Sequence, residues 1–84
     1  MYKFEILTED KNRESIYAET GRFFDGFSVT EQTGFWQGEQ EKSLNIMIIA
    51  SLEEREKVQR IADAIALFND QESVMVLASP IDVL

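Results

Sequence analysis

The stretch Ser43-Leu44-Asn45-Ile46-Met47-Ile48-Ile49-Ala50, followed by Ser51-Leu52-Glu53-Glu54 and then by Val58, Ile61, Ala62, Ile65 and Phe68, decides the fold. Its first half becomes apolar on both faces, as suits a strand in the middle of a sheet. Its second half changes period. The apolar residues trace one face of a helix running to about Asn69, and Ser51 with Glu54 has the Ser-x-x-Glu spacing of a capping box. Ser73-Val74-Met75-Val76-Leu77-Ala78 then reads as another strand, ended by Pro80.

Upstream, Tyr2-Lys3-Phe4-Glu5-Ile6-Leu7-Thr8 alternates apolar with polar over most of its length and predicts the first strand. A polar turn follows, in which Asn12 can cap a helix carrying Ile16, Thr20, Phe23 and Phe24 at helical spacing. Asp25-Gly26 is expected to stop that helix, with Gly26 in the left-handed conformation. Gly21 costs about 1 kcal/mol inside a helix relative to alanine, which offers an earlier end and leaves Phe23-Phe24 in a loop. Residues 27–36 form the second strand, with a bulge expected at Gly34, and Gln37-Gly38-Glu39-Gln40-Glu41 is a polar turn.

The order is thus β-α-β-β-α-β over one α+β domain, residues 1–84. Short connections and right-handed crossovers fold it most simply as a ferredoxin-like sandwich, a four-stranded antiparallel sheet of order 4-1-3-2 with both helices on one face. Phe4, Ile6, Phe27, Val29, Leu44, Ile46, Ile48, Val74 and Val76 are the expected core.

Sixteen acidic against eight basic side chains leave a net charge of −8. That argues against direct nucleic-acid binding and against an anionic membrane surface. No apolar run reaches the roughly 18 residues of a membrane span, and Glu5 interrupts what a signal peptide would need, so the cytoplasm is the expected location. The chain has no cysteine and no histidine. Disulfides, thiolate chemistry, the commonest transition-metal ligands and the usual general base are therefore excluded, and no cofactor is implied.

Two surfaces stand out. On the sheet face away from the helices, Leu7, Met47, Ile49, Met75 and Leu77 are expected to form an apolar patch, which favours a homo-oligomer, a dimer in the simplest case, unless Lys3, Glu5, Ser28, Thr30 and Asn45 dilute it. At one end of the sheet the loops gather Glu9, Asp10, Asn12, Glu39, Glu41, Ser43, Gln71 and Glu72, with Lys11, Arg13 and Lys42 offsetting part of the charge. This pole suits a basic protein partner. Asp10, Glu41 and Glu72 are also candidates for a hard cation such as Mg²⁺ or Ca²⁺, although no EF-hand spacing is present. Trp36, beside Phe35 near the hairpin tip, either closes the core, the commoner arrangement, or anchors a partner.

Three functions fit these features. The first is a non-catalytic interaction or regulatory module that self-associates through its open sheet face. The second is an acidic inhibitor that masks a basic nucleic-acid-binding protein. The third is a cofactor-independent small-molecule enzyme or sensor, with Glu41, Asp10 or Glu72 as a carboxylate base and Tyr17 or Trp36 as a wall. No residue is singled out as catalytic on the first two.

The segments Phe23-Phe24-Asp25-Gly26-Phe27-Ser28-Val29, Gly34-Phe35-Trp36, Glu41-Lys42-Ser43 and Gln71-Glu72-Ser73-Val74 resemble the pattern of a family of small bacterial and phage proteins of unknown function. Phe24 stands where that pattern often has proline. The resemblance implies a ferredoxin-like domain, sometimes borne on phage or mobile-element genomes, in which Glu41, Ser43, Gln71 and Glu72 either organise the loop pole through hydrogen bonds or serve as structural caps.

Overall fold

A computed structural model describes residues 1–84 and has the expected architecture. The elements are β1 (Tyr2–Glu9), α1 (Arg13–Gly21), β2 (Ser28–Trp36), β3 (Glu39–Ala50), a 3₁₀ turn (Leu52–Glu54), α2 (Arg55–Phe68) and β4 (Met75–Pro80). The four strands form one antiparallel sheet in the order β2-β3-β1-β4. This is the ferredoxin-like arrangement, with β1 and β3 interior.

The period-two pattern becomes burial directly. Phe4 and Ile6 on β1 and Leu44, Ile46 and Ile48 on β3 turn toward the helices and are buried. Ile16 on α1 and Val58, Ile61, Ala62 and Ile65 on α2 close over them. Val29 and Val76 are half-buried at the margins of this core because β2 and β4 lie at the sheet edges, and Phe27 and Val74, expected inside those strands, are half-buried in the connections just before them. Phe68, expected on the buried face of α2, is exposed instead, and the buried residue at that end is Asn69.

The ends of the elements depart from the sequence reading. α1 stops at Gly21, and the amides of both Phe23 and Phe24 donate to Thr20 O, at 3.1 and 3.0 Å. The two rings pack against the core from a loop, so burying them does not require a helix to continue past glycine. Gly26 is not left-handed. Asn12 precedes α1 but makes no cap; it sits at φ 54° and its amide donates across the fold to Asn69 Oδ1 at 2.6 Å. The Ser51 side chain does not cap either. Its backbone carbonyl accepts from Glu54 N at 3.0 Å, which closes the 3₁₀ turn ahead of α2.

The hairpin is also more regular than the glycines suggested. Pairing runs one-to-one from Ser28 opposite Met47 to Trp36 opposite Glu39, so no bulge exists at Gly34. Only Gln37 and Gly38 form the turn, with φ of 50° and 80°. Positive φ at both central residues matches the right-handed twist of the flanking strands. Glu39, Gln40 and Glu41 thereby belong to β3 and not to a loop. Since β1 ends its pairing at Glu9 opposite Ser43, residues 33–42 continue past the sheet as a two-stranded arm. No helix is long and apolar enough to cross a membrane.

Candidate functional site

The sheet divides the acidic pole into two sides. Register places Trp36, Glu39, Glu41, Ser43 and Glu9 on the open side, away from the helices. Asp10, Asn12 and Gln71 belong to the turns behind and beneath it, and Glu72 is exposed with neither hydrogen bond nor ion pair.

On the open side the arm carries a short row in which Gly34 faces Glu41 and is flanked along its own strand by Gln32 and Trp36. The absence of a side chain leaves a notch. A Cβ placed at Gly34 would lie 3.6 Å from Ser43 Oγ and 3.7 Å from Glu41 Cγ, ordinary contact distances, so these two groups form the wall of the notch. The Ser43 hydroxyl donates to Gln32 O at 3.4 Å, while the Glu41 carboxylate has no partner. Trp36 is 68% exposed and Phe35, on the opposite side of the arm, 72%. Core closure by Trp36 is thus overturned: register seats it on the sheet side away from the helices, on the arm past the end of β1, where its ring is largely exposed.

Behind the arm lies a polar framework. Gln71 donates to Thr8 Oγ1 at 2.8 Å, and its Oε1 accepts from Glu9 N at 3.2 Å, tying the entry to β4 to the end of β1. Asn69 donates to Lys11 O at 3.0 Å and accepts from Asn12. Of the four residues expected to organise the pole, Gln71 bridges elements and Ser43 bonds within the hairpin, whereas Glu41 and Glu72 do neither.

Asp10 is spoken for by Arg13. The guanidinium donates through Nε and Nη2 to both carboxylate oxygens, at 2.7 and 2.6 Å, and its Nη1 reaches Glu31 at 2.9 Å. The hydrogen bond from Arg13 holds the Asp10 carboxyl below its ordinary range, and hydrogen bonds to Asp10 and then Glu31 keep Arg13 more firmly cationic than usual. Lys11 is likewise raised by its hydrogen bond to Glu9, 2.7 Å away. A polar hollow of about 270 Å³ lies at this corner, lined by Asp10, Glu31, Gln32, Thr33, Lys42 and Ser43. No group of three acidic side chains is placed to hold a metal ion, so Asp10, Glu41 and Glu72 do not converge as a cation site.

The five apolar residues of the main sheet do share the open face. Leu7 and Met47 are half-buried, and Ile49, Met75 and Leu77 are exposed. Between them runs a charged row: Glu5 stands between Met47 and Leu77, and Lys3 between Ile49 and Ser79. Lys3 lies 3.8 Å from Glu5, which also accepts from Asn45 at 2.7 Å. Leu7, opposite Met75, is the one apolar link across β1.

Sequence reasoning singled out Trp36, Glu41 and Ser43 but passed over Gly34 as a notch, Glu31 as a partner of Arg13, and Asn69 as a buried anchor. The Asp10-x-x-Arg13 spacing was the one local signal available for this corner.

No family model matches the chain, and no curated protein matches it. Among solved structures, it is similar to a phage SAM lyase in its apo state, at 22% identity over 93% of this chain and 78% of that one, with a TM-score of 0.75. It is also similar to a DUF3240 family protein from Shewanella baltica OS155, at 17% identity over 95% of this chain and 89% of that one, with a TM-score of 0.71. The ferredoxin-like fold is therefore one that small phage and bacterial proteins share.

Proposed function

We propose that this protein binds a small sulfonium substrate of the S-adenosylmethionine type on the open side of its hairpin arm and cleaves it as a lyase, without metal or cofactor. The observation that carries the reading is the row Trp36, Gly34, Glu41: an exposed indole, a floor without a side chain, and an unpaired carboxylate, side by side on one face. Each matches a part of such a substrate. The indole stacks on a purine, the glycine admits a flat group close to the backbone, and the carboxylate attracts a cationic sulfonium. The likeness in fold to a phage SAM lyase supports the choice of substrate.

A lyase breaks the carbon–sulfur bond without water. The bonding electrons leave on sulfur, which becomes a neutral thioether; the carbon next to the one released gives its proton to a base, and the electrons of that C–H bond form a carbon–carbon double bond in the departing fragment. Of the carboxylates on this side, Glu9 is paired with Lys11 and Glu39 stands at the hairpin tip opposite Trp36, which leaves Glu41, beside the Gly34 floor, as the base that takes that proton in this reading. Asp10 is occupied by Arg13, and Glu72 and the helical residue Tyr17 are not on this face. The apolar residues Leu7, Met47, Ile49, Met75 and Leu77 lie beyond the site on the same sheet face, and the exposure of Ile49, Met75 and Leu77 supports association of copies there.

Titration calorimetry with S-adenosylmethionine, paired with chromatographic detection of the thioether product, tests the reading. Binding and turnover are expected for the wild type, with Trp36→Ala weakening affinity about 5- to 150-fold through lost stacking and Glu41→Gln abolishing turnover while melting is unchanged. Absence of both binding and product in the wild type would overturn it.

A further inference from the structure

The arm that carries Trp36 and Glu41 is a two-stranded ribbon past Ser43, and such a ribbon is marginally stable when nothing packs on it. Both of its aromatic residues are exposed, so packing does not fix its direction. Its root is held differently. Asp10 N donates to Lys42 O at 3.1 Å on one strand, the Asp10 carboxylate grips Arg13, and Arg13 reaches Glu31 on the other strand at 2.9 Å. The circuit from β3 through the β1–α1 turn to β2 is closed. No other ion pair joins the helical layer to the hairpin.

We infer that Arg13 is a positioning residue that latches the hairpin arm to the helical layer and so sets the angle at which Trp36 and Glu41 meet a ligand. The part of this inference that concerns ligand rests on the function proposed above. An isolated surface ion pair contributes little, because two long side chains must be ordered to form it. Arg13 differs in that the two bonds to Asp10 have already ordered its guanidinium, leaving only Glu31 to be fixed. Glu31 stands opposite the core residue Leu44, but its own side chain is 72% exposed, so exchanging the carboxylate for an amide of the same shape perturbs the latch without opening the core.

The test uses the full chain with Glu31→Gln, and Arg13→Gln alone and combined with it, read by hydrogen exchange of residues 33–42 and by calorimetry with S-adenosylmethionine. In Glu31→Gln the arm amides are expected to exchange about 2- to 5-fold faster, the range of an ordered surface pair, while core amides and the melting temperature hold. Affinity should fall by a similar factor. Adding Glu31→Gln to Arg13→Gln should change the arm no further, since either substitution opens the same circuit. Unchanged arm exchange in Glu31→Gln overturns the latch whatever the ligand. Faster exchange with unaltered affinity overturns the positioning role, and a wild type that binds no S-adenosylmethionine but loses arm protection in Glu31→Gln refutes the proposed substrate and leaves the latch standing.

Discussion

Replacing Gly34 by alanine should move stability and binding in opposite directions. Gly34 lies in extended backbone within β2 and is not among the positive-φ residues, so alanine can adopt its conformation. The added Cβ meets Ser43 Oγ at 3.6 Å and Glu41 Cγ at 3.7 Å, contact without overlap. With no strain in the folded state, the change acts through the unfolded chain, whose freedom it reduces, and should stabilise by about 0.4–1 kcal/mol. For a domain of this length that raises the melting temperature by roughly 2–8 °C. The same methyl group occupies the notch between Trp36 and Glu41, where a bound ligand would approach the backbone. A loss of about tenfold in affinity for S-adenosylmethionine corresponds to roughly 1.4 kcal/mol, comparable to forcing a group into a well-packed site. Calorimetric melting and isothermal titration on the same preparations measure both quantities. A lower melting temperature would refute the backbone argument, and undiminished affinity alongside a higher one would refute the notch as part of the site.

The remaining predictions concern the core and the acid limb. Ile46 is fully buried on the interior strand β3, and Ile46→Ala should cost about 2–5 kcal/mol, a large share of the stability of a domain this small. Chemical denaturation checks it, and a loss below about 1 kcal/mol would mean that the site collapses around the cavity far better than a close-packed core should. Asp10 has a folded-state carboxyl held below its ordinary value by Arg13, so its contribution is complete above about pH 4 and lost as pH falls through the folded value. Melting curves from pH 6 to pH 2 should therefore fall less steeply in Asp10→Asn than in the wild type; parallel curves would show that Asp10 has the same proton affinity folded and unfolded.

Much of the fold was legible because its signals are local. The alternation along β1 and β3 and the apolar face of α2 each repeat several times within one segment, and each repeat reports the same buried side. Gly21 marked one end of α1 for the same reason, since its cost in a helix is a property of the residue alone. The capping signals were less faithful. Asn12 and Ser51 have the side chains a cap needs, yet Asn12 found a stronger partner in Asn69, and the chain at Ser51 turned through a 3₁₀ bond from its carbonyl. Competition of that kind depends on which groups come near, and nothing in the neighbouring sequence encodes it.

The site follows the same division. Residue types made Trp36, Glu41 and the acidic pole candidates, and period two placed Leu7, Met47, Ile49, Met75 and Leu77 on one face. Whether Trp36 closes the core depended on which side of the sheet the β2–β3 register gave it, and it gave the side away from the helices, on the part of the hairpin that outruns β1. Glu31 became a partner of Arg13 only when α1 folded back behind the hairpin root, and the apolar face acquired its charged row only when β1 was seated between β3 and β4. The amino-acid sequence by itself determined the order of elements and the side each one buries, because burial periodicity is written into consecutive residues. Tertiary structure alone decided which carboxylates are paired and which stand free, because an ion pair depends on the distance between groups that the chain brings together only by folding.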